Sequence, residues 1–235
     1  MSEPEKILEK MQTPHYLGHR ERQRQKLLSG GGGVFSDYEL LEYLLMTAIP
    51  RRDVKPLAKD LISRFSSLAG VFAASPEELM SVKGIKESAA SLIVAVRESA
   101  VRMGRDDLAD EPVLNNWDAV VRYCKTAFGR NKIELFAVLF LDTKKKLIKA
   151  QVLQEGTIDR TSVYPRELVK KCLDSGAASV IMVHNHPTGD LTPSRNDLEL
   201  TKTIENALNA VDIELIDHLI VSKRGHFSFK AKKYL

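Results

Sequence analysis

The segment ELFAVLFL, residues 134–141, limits the possible folds more than any other part of the chain, because seven of its eight side chains are apolar. A strand that is apolar on both faces belongs in the middle of a sheet that is covered on both sides. The segment SVIMV, residues 179–183, is similar in character. The segments PRELVKKCLDSGA and SRNDLELTKTIENALNAVD have the periodicity of amphipathic helices. Residues 111–235 are therefore predicted to form a mixed α/β domain, a central sheet with flanking helices.

The first part of the chain has a different pattern. Up to about residue 105 it contains helical segments, such as SDYELLEYLLMTA, DVKPLAKDLISRF and KESAASLIVAVRESAVRM, and no convincing strand. The polar stretch GRDDLADEPVLNN follows and contains Pro112. We therefore predict a domain boundary near residue 110, with a small all-α domain at 1–110 and the α/β domain at 111–235.

Basic residues are unevenly distributed along the chain. The net charge of +4 permits a nucleic-acid partner without requiring one. The basic clusters comprise Arg20, Arg22, Arg24 and Lys26 in a predicted N-terminal helix, and then Arg51 and Arg52. Such clusters are either solvated surfaces or sets of phosphate contacts, and the sequence leaves both interpretations open.

Several features predict a cytoplasmic protein that makes no membrane contact. No apolar run approaches the roughly 18 residues that a membrane span requires. The first residues, MSEPEKILEK, lack the apolar core of a signal peptide. The only two cysteines, Cys124 and Cys172, lie in helical segments, which is typical of packing residues and not of a disulfide framework.

The segment VHNHPTGDLTPSRND, residues 183–197, contains the strongest candidate for a functional site. His184 and His186 are two residues apart at the end of a predicted strand, so both rings point to the same side. Asn185 then points to the opposite side. Pro187 ends the strand, and the residues after it have the composition of a turn.

An acidic residue follows at the start of the next helix. Ser194 is placed to cap this helix, and Asp197 shares a face with the apolar Leu200 and Ile204, so it points inward. Two imidazoles and one carboxylate are a common zinc ligand set that leaves a fourth position open for water. Each element alone also has a structural interpretation, as core histidines or as a Ser-x-x-Asp capping box. Their combination favours a zinc site.

HNHPTGDLTPSRND resembles the JAMM signature of the JAB/MPN metalloproteases, which is His-x-His-Pro, a spacer and Ser-x-x-Asp. The segments SVYPRELVKKCLDSGAASVIMVHNHPTGDLTPSRND and DIELIDHLIV are similar to the C-terminal domain of the RadC family, named for DNA repair. SDYELLEYLL and PLAKDLISRFSSLAGVFAASPEELMSVKGI are similar to its N-terminal helical domain. The resemblance implies an MPN fold, related to the cytidine-deaminase fold, with Zn²⁺ on His184, His186 and Asp197. It also implies hydrolysis of an amide or isopeptide bond in a peptide or isopeptide substrate.

The resemblance further implies a glutamate as general base and a serine that stabilises the oxyanion. Glu134 is the preferred base, because it precedes a doubly buried strand and its surroundings resemble those of the JAMM glutamate. Glu155 and Glu167 are the alternatives, although Glu167 also suits the first turn of a helix. By the same resemblance, Ser194 is the oxyanion donor. His218, inside an apolar strand, is either a core histidine or a support for the metal ligands.

The segment LMSVKGIKESAASLIVAV resembles a helix-hairpin-helix, in which backbone N–H groups of a glycine-rich turn bind a DNA phosphate. The usual turn is Gly-Ile-Gly, whereas this chain has Gly84, Ile85 and Lys86. DNA binding through residues 1–110 and a purely structural or protein-binding helical domain both remain open. An alternative to the zinc hydrolase is therefore a DNA-binding repair or recombination factor whose metal site is structural or vestigial.

Overall fold

The computed structural model describes residues 18–30, 32–50, 52–156 and 163–235. The chain divides into two compact units between Arg97 and Glu98, a point that lies inside the helix Glu87–Asp110. This helix continues about two turns beyond the end that the sequence predicted, since the polar segment GRDDLAD is helical and Leu108 within it is buried. Within the described ranges, no helix is both long enough and apolar enough to cross a membrane.

The first unit is helical throughout its described residues, as the sequence predicted. Its helices are α1 (His19–Gly30), α2 (Asp37–Ala48), α3 (Lys55–Phe65), α4 (Leu68–Ala73), α5 (Pro76–Met80) and the first part of α6 (Glu87–Asp110). The apolar faces of α2 to α6 meet in one core, whose fully buried members include Leu41, Leu45, Leu61, Leu79 and Ile93. The helical patterns predicted this core because their apolar residues recur at one face.

Two basic side chains of helix α1 form hydrogen bonds with other residues of the first unit. The Arg20 guanidinium donates hydrogen bonds to the main-chain oxygens of Met46, Ile49 and Arg52, at 2.6, 3.0 and 3.1 Å. The first two of these carbonyl groups lie at the end of α2, where the helix itself leaves them without donors. Lys26 donates to the Glu39 carboxylate at 3.0 Å. Part of the basic cluster is therefore structural, which neither interpretation of the sequence had anticipated.

The second unit contains a five-stranded mixed sheet. Its elements are α7 (Trp117–Ala127), β1 (Leu135–Leu141), β2 (Leu147–Glu155), α8 (Pro165–Ser175), β3 (Ser179–Asn185), α9 (Arg195–Asn209), β4 (Glu214–Val221) and β5 (His226–Ser228). The strand order is β2-β1-β3-β4-β5. β3 and β4 are parallel and connected through α9, while the other neighbours are antiparallel. The predicted α/β class is confirmed.

The two central strands are buried on both faces. Alternate residues of β1 and β3 enter two separate cores, of which one contains Leu139 and Ile181 and the other contains Phe140 and Met182. The two thiols are free, and Cys124 lies in the first core while Cys172 lies in the second. The continuous apolar runs therefore mark the middle of a covered sheet, as the sequence predicted.

We expect acid to weaken the N-terminal unit through Glu39. The main-chain N–H and the hydroxyl of Ser36 donate to its carboxylate, at 2.9 and 2.7 Å. These bonds, with the Lys26 ion pair, lower the pKa of Glu39 from 4.5 to about 2. A lowered carboxyl pKa stabilises the fold above the unfolded value, and this contribution is lost as the pH falls from about 4.5 towards 2. Glu39→Gln should therefore lower the free energy of unfolding at pH 7 by about 1 kcal/mol.

The measurement is urea unfolding followed by circular dichroism, at pH 7 and at intervals down to pH 3. The difference between wild type and Glu39→Gln should shrink on acidification. Glu98→Gln is the control, because Glu98 forms an exposed ion pair with Arg102 and such pairs contribute at most about 0.5 kcal/mol. Equal stability of the two variants at pH 7 would contradict the assignment of a capping role to Glu39.

Candidate metal centre

The apolar pattern of β3 ends in two histidines. His184 continues the strand face of Val180 and Met182, and its side chain is buried. The His186 N–H donates to the main-chain oxygen of Val221 at 3.0 Å, which extends the pairing with β4 by one residue. The extended backbone therefore directs both rings to one side, and their Nε2 atoms lie 2.9 Å apart.

Asp197 reaches the same point from the first turn of α9. Its N–H donates to the Ser194 hydroxyl oxygen at 3.1 Å, and the Ser194 N–H donates to its Oδ2 at 2.7 Å. This reciprocal pair holds the carboxylate against the histidines, with Oδ1 3.4 Å from His184 Nε2 and Oδ2 3.7 Å from His186 Nε2. The first turn of α9 is thus capped by Ser194 and also holds the Asp197 carboxylate at the candidate centre.

The spacing of these donor atoms fits a tetrahedral metal ion. Zinc bonds of about 2.0–2.2 Å at tetrahedral angles place neighbouring ligand atoms about 3.3–3.6 Å apart. The two Nε2 atoms are 2.9 Å apart, and their distances of 3.4 and 3.7 Å to the two carboxylate oxygens of Asp197 are close to this range. In the part of the chain that the structure describes, this is the one group of three or more His, Cys, Asp or Glu side chains that could hold a metal ion.

Burial and mutual contact set the protonation of the three groups. Burial lowers the pKa of His184 to about 4, so its ring is neutral at pH 7. The Asp197 carboxylate raises the pKa of His186, and burial opposes it. Burial alone would raise the pKa of Asp197, but His186, His184 and Ser194 together hold it below its usual range. An ionised carboxylate and a neutral ring are the forms that bind a metal ion.

The turn after the strand determines which nitrogen of His186 faces the centre. Its Nδ1 lies 2.6 Å from the main-chain oxygen of Asp190, and a carbonyl oxygen can only accept. Nδ1 therefore has a proton, and Nε2 is the nitrogen that faces the centre and can bind a metal ion when the ring is neutral. The turn requires glycine at Gly189, where φ is +86° and a Cβ would lie 3.2 Å from the Arg224 side chain.

Asn185, between the two histidines, faces the other way and binds the segment that precedes β1. Its Oδ1 accepts from the Leu135 N–H at 2.8 Å. Its Nδ2 donates to the main-chain oxygens of Asn131 and Ile133 at 3.0 and 3.2 Å. The side chain is fully buried. The sequence predicted the direction of this side chain but not its hydrogen bonds to the segment before β1. An amide at a core-facing strand position is the signal that could have indicated them.

Glu134 lies within the segment that Asn185 holds. Its main-chain oxygen accepts from the Gly156 N–H at 2.8 Å, and its side chain is half-buried. Its negative charge is among the causes that raise the pKa of His186, so it acts on the candidate centre electrostatically. The rival Glu167 is exposed and pairs with Arg166 at 3.2 Å, and Glu155 is exposed at the end of β2.

His218 contacts the candidate centre directly. It is fully buried on β4, and its Nε2 lies 2.8 Å from His184 Nδ1. Its Nδ1 lies 2.6 Å from the hydroxyl oxygen of Thr201, a residue that the sequence analysis did not single out. Burial lowers the pKa of His218 well below its ordinary value. His218 is therefore a core histidine, and its contact with a candidate ligand is compatible with the second interpretation.

Residues 114–234 match the family model described as the RadC-like JAB domain. The chain belongs to the RadC family. Residues 15–91 match a second model, described as the UPF0758 N-terminal domain. The RadC-like match contains every residue of the candidate centre and the whole sheet, which confirms the family resemblance and the JAB/MPN fold that it implied. Gly84 lies in the second match.

We expect Asn185 to contribute strongly to the stability of this RadC-family sheet. Asn185→Ala removes the partners of one buried N–H and two carbonyl oxygens, and a buried group without a partner costs about 1–3 kcal/mol. Ser179→Ala is the matched control, because Ser179 is also fully buried on β3 but its hydroxyl has no hydrogen-bond partner among the described residues.

Urea unfolding of both variants measures this difference. Asn185→Ala should lose at least about 1 kcal/mol more than Ser179→Ala. Equal losses would show that the three hydrogen bonds of Asn185 contribute little net free energy.

Proposed function

We propose that this protein is a zinc-dependent hydrolase that cleaves peptide or isopeptide bonds. One observation carries the proposal: two imidazole Nε2 atoms and a carboxylate converge at 2.9–3.7 Å in a buried corner of the sheet. Placing three polar groups there costs solvation free energy, and a bound cation would offset that cost. Membership of the RadC family supports the proposal, because JAB domains belong to a hydrolase-related superfamily and often bind zinc.

In this proposal His184, His186 and Asp197 hold the ion, and three protein ligands leave a position open for substrate or water. Bound zinc supplies a Lewis acid that polarises a carbonyl group and lowers the pKa of water towards about 7. Glu134 receives a proton from the attacking water and passes it to the leaving amine. The half-buried position of Glu134 beside the centre supports this role.

Ser194 is proposed to stabilise the negative oxygen that forms during amide hydrolysis. Its hydroxyl oxygen accepts the Asp197 N–H, so capping uses a lone pair and not the hydroxyl proton. The hydroxyl proton also interacts with the Asp197 carboxylate, so donation to an oxyanion requires the hydroxyl to turn away from that carboxylate.

Metal content separates the proposed ligands from the proposed base. We expect about one zinc per chain in the wild type, and loss of zinc in His184→Ala and Asp197→Ala, because each variant leaves only two ligands. Glu134→Gln should retain the zinc. Mass spectrometry of the purified chains, calibrated for metal and protein, measures both.

Hydrolysis is then tested on a library of internally quenched peptides and on isopeptide-linked peptides. Zinc-loaded Glu134→Gln is the matched control, since it has the metal but lacks the proposed base. We expect cleavage by the wild type and a loss of at least about 100-fold in the variant. Equal cleavage by both would exclude Glu134 as the base. Zinc binding without cleavage of any probe would favour a structural metal site.

A second function, DNA binding by the helical unit, is favoured by the turn at Gly84. Gly84 has φ +105°, and its Cβ position would lie 3.0 Å from the Arg52 guanidinium. Exposed Lys83 and Lys86 flank the same turn. We propose that Arg52, Lys83 and Lys86 together bind a DNA phosphate at this turn, which lacks the second glycine of a helix-hairpin-helix. The internal hydrogen bonds of Arg20 remove that residue from the candidate phosphate contacts.

Fluorescence anisotropy of the full chain with short duplex and single-stranded DNA tests this second function. Phosphate contacts predict an affinity that falls with salt, with a slope of about 0.9 per contact on duplex DNA. The double variant Lys83→Ala and Lys86→Ala should reduce that slope by about two contacts, while Lys144→Ala, an exposed control in the β1–β2 turn, should not. Absence of binding at low salt would exclude the second function.

A further inference from the structure

We infer that Thr201 and His218 are positioning residues that fix the tautomer of His184, so that its Nε2 faces the candidate metal position without a proton. The inference rests on the metal site of the proposed function. It concerns metal binding alone and does not require turnover. A series of hydrogen bonds connects a main-chain carbonyl group to His184 through these two residues.

This series of hydrogen bonds starts at the Thr201 hydroxyl, which has one proton to donate. Its oxygen lies 2.5 Å from the main-chain oxygen of Asp197 and 2.6 Å from His218 Nδ1. The carbonyl oxygen can only accept, so the hydroxyl proton is directed to it. The contact with His218 must then run the other way, and Nδ1 of His218 donates to the Thr201 oxygen.

The position of the proton on His218 determines the position of the proton on His184. The His218 ring is fully buried and lies between the rings of Phe136 and Phe229, with centroids 6.1 and 4.6 Å away. A second proton would place a charge in this apolar surrounding. Nε2 of His218 therefore has a lone pair and accepts the Nδ1–H of His184 across 2.8 Å. Nε2 of His184 is consequently unprotonated.

The two candidate histidine ligands are thus oriented by two separate carbonyl groups. The Asp190 oxygen fixes His186 directly, and the Asp197 oxygen fixes His184 through Thr201 and His218. When both rings are neutral and have their protons on Nδ1, the 2.9 Å contact between the Nε2 atoms has no proton to share. Two lone pairs that face each other repel, and a cation between them removes the repulsion. Asp197 contributes to the centre twice, through its carboxylate and through its main-chain oxygen.

Loss of the hydrogen bonds from Thr201 to His184 should weaken zinc binding without removing a ligand. In Thr201→Val, the Nδ1–H of His218 loses its acceptor, so the proton can move to Nε2 and reverse the bond to His184. His184 would then have to lose an Nε2 proton before binding. Groups that orient a metal ligand typically change metal affinity by about 10–100-fold, and we expect a loss in that range. Thr201→Ser keeps the hydroxyl and should bind zinc like the wild type.

A matched control and a second pair of variants separate this effect from a loss of folding. Thr203→Val removes another α9 hydroxyl, which donates to the Glu199 main-chain oxygen at 2.8 Å, and should leave zinc affinity unchanged. His218→Gln retains one acceptor and one donor on its amide, whereas His218→Phe retains neither. We expect zinc affinity to decrease from the wild type to His218→Gln and again to His218→Phe.

The experiment uses the full chain after metal removal, with zinc titrated against a fluorescent chelator of known affinity. Circular dichroism before each titration shows which variants are folded. In parallel, long-range ¹H–¹⁵N NMR of the metal-free wild type reads the histidine tautomers without any substitution. We expect protons on Nδ1 of His184, His186 and His218.

The outcomes distinguish this inference from the proposed function. A proton on Nε2 of His184, or a folded Thr201→Val that binds zinc as tightly as the wild type, overturns the inference alone. A wild type that binds no zinc overturns both. Zinc affinities in the expected order, with no hydrolysis of any probe, support the inference and count against the hydrolase.

Discussion

The burial of β1 and β3 on both faces is the constraint on which the rest of the second unit depends. Every position of these two strands is buried, so their polar side chains, Ser179 apart, are placed where the apolar pattern ends. At this end of the sheet, the last residues of β3, which include His184, meet the start of β1 and the segment before it.

The alternation of the strand assigns different tasks to neighbouring residues. His184 and His186 face the candidate centre, while Asn185 between them binds the segment that contains Glu134. A shift of this strand by one residue would exchange the two faces and remove both arrangements. The parallel pairing with β4 prevents such a shift, because it continues past the last residue of β3 to the N–H of His186.

The polar groups of the centre are oriented by backbone atoms more than by one another. Carbonyl oxygens of Asp190 and Asp197 direct the two imidazoles, and the N–H of Ser194 binds the carboxylate. These backbone groups belong to the turn after β3 and to the start of α9, and they orient the ligands without an ion. Such preorganisation favours metal binding, because less conformational freedom is lost on association.

The sequence alone was sufficient for the α/β class, the doubly buried strands and the family, since continuous apolar runs and the spacing from His184 to Asp197 are local patterns. It could not show that Arg20 binds the end of α2, that Asn185 holds the segment before β1, or that Thr201 reaches His184 through His218. Each of these contacts joins residues from separate elements, and for two of them the nearest partner is at least 26 residues away. Periodicity and spacing describe one element at a time, so only the packing of the elements against one another determined these contacts.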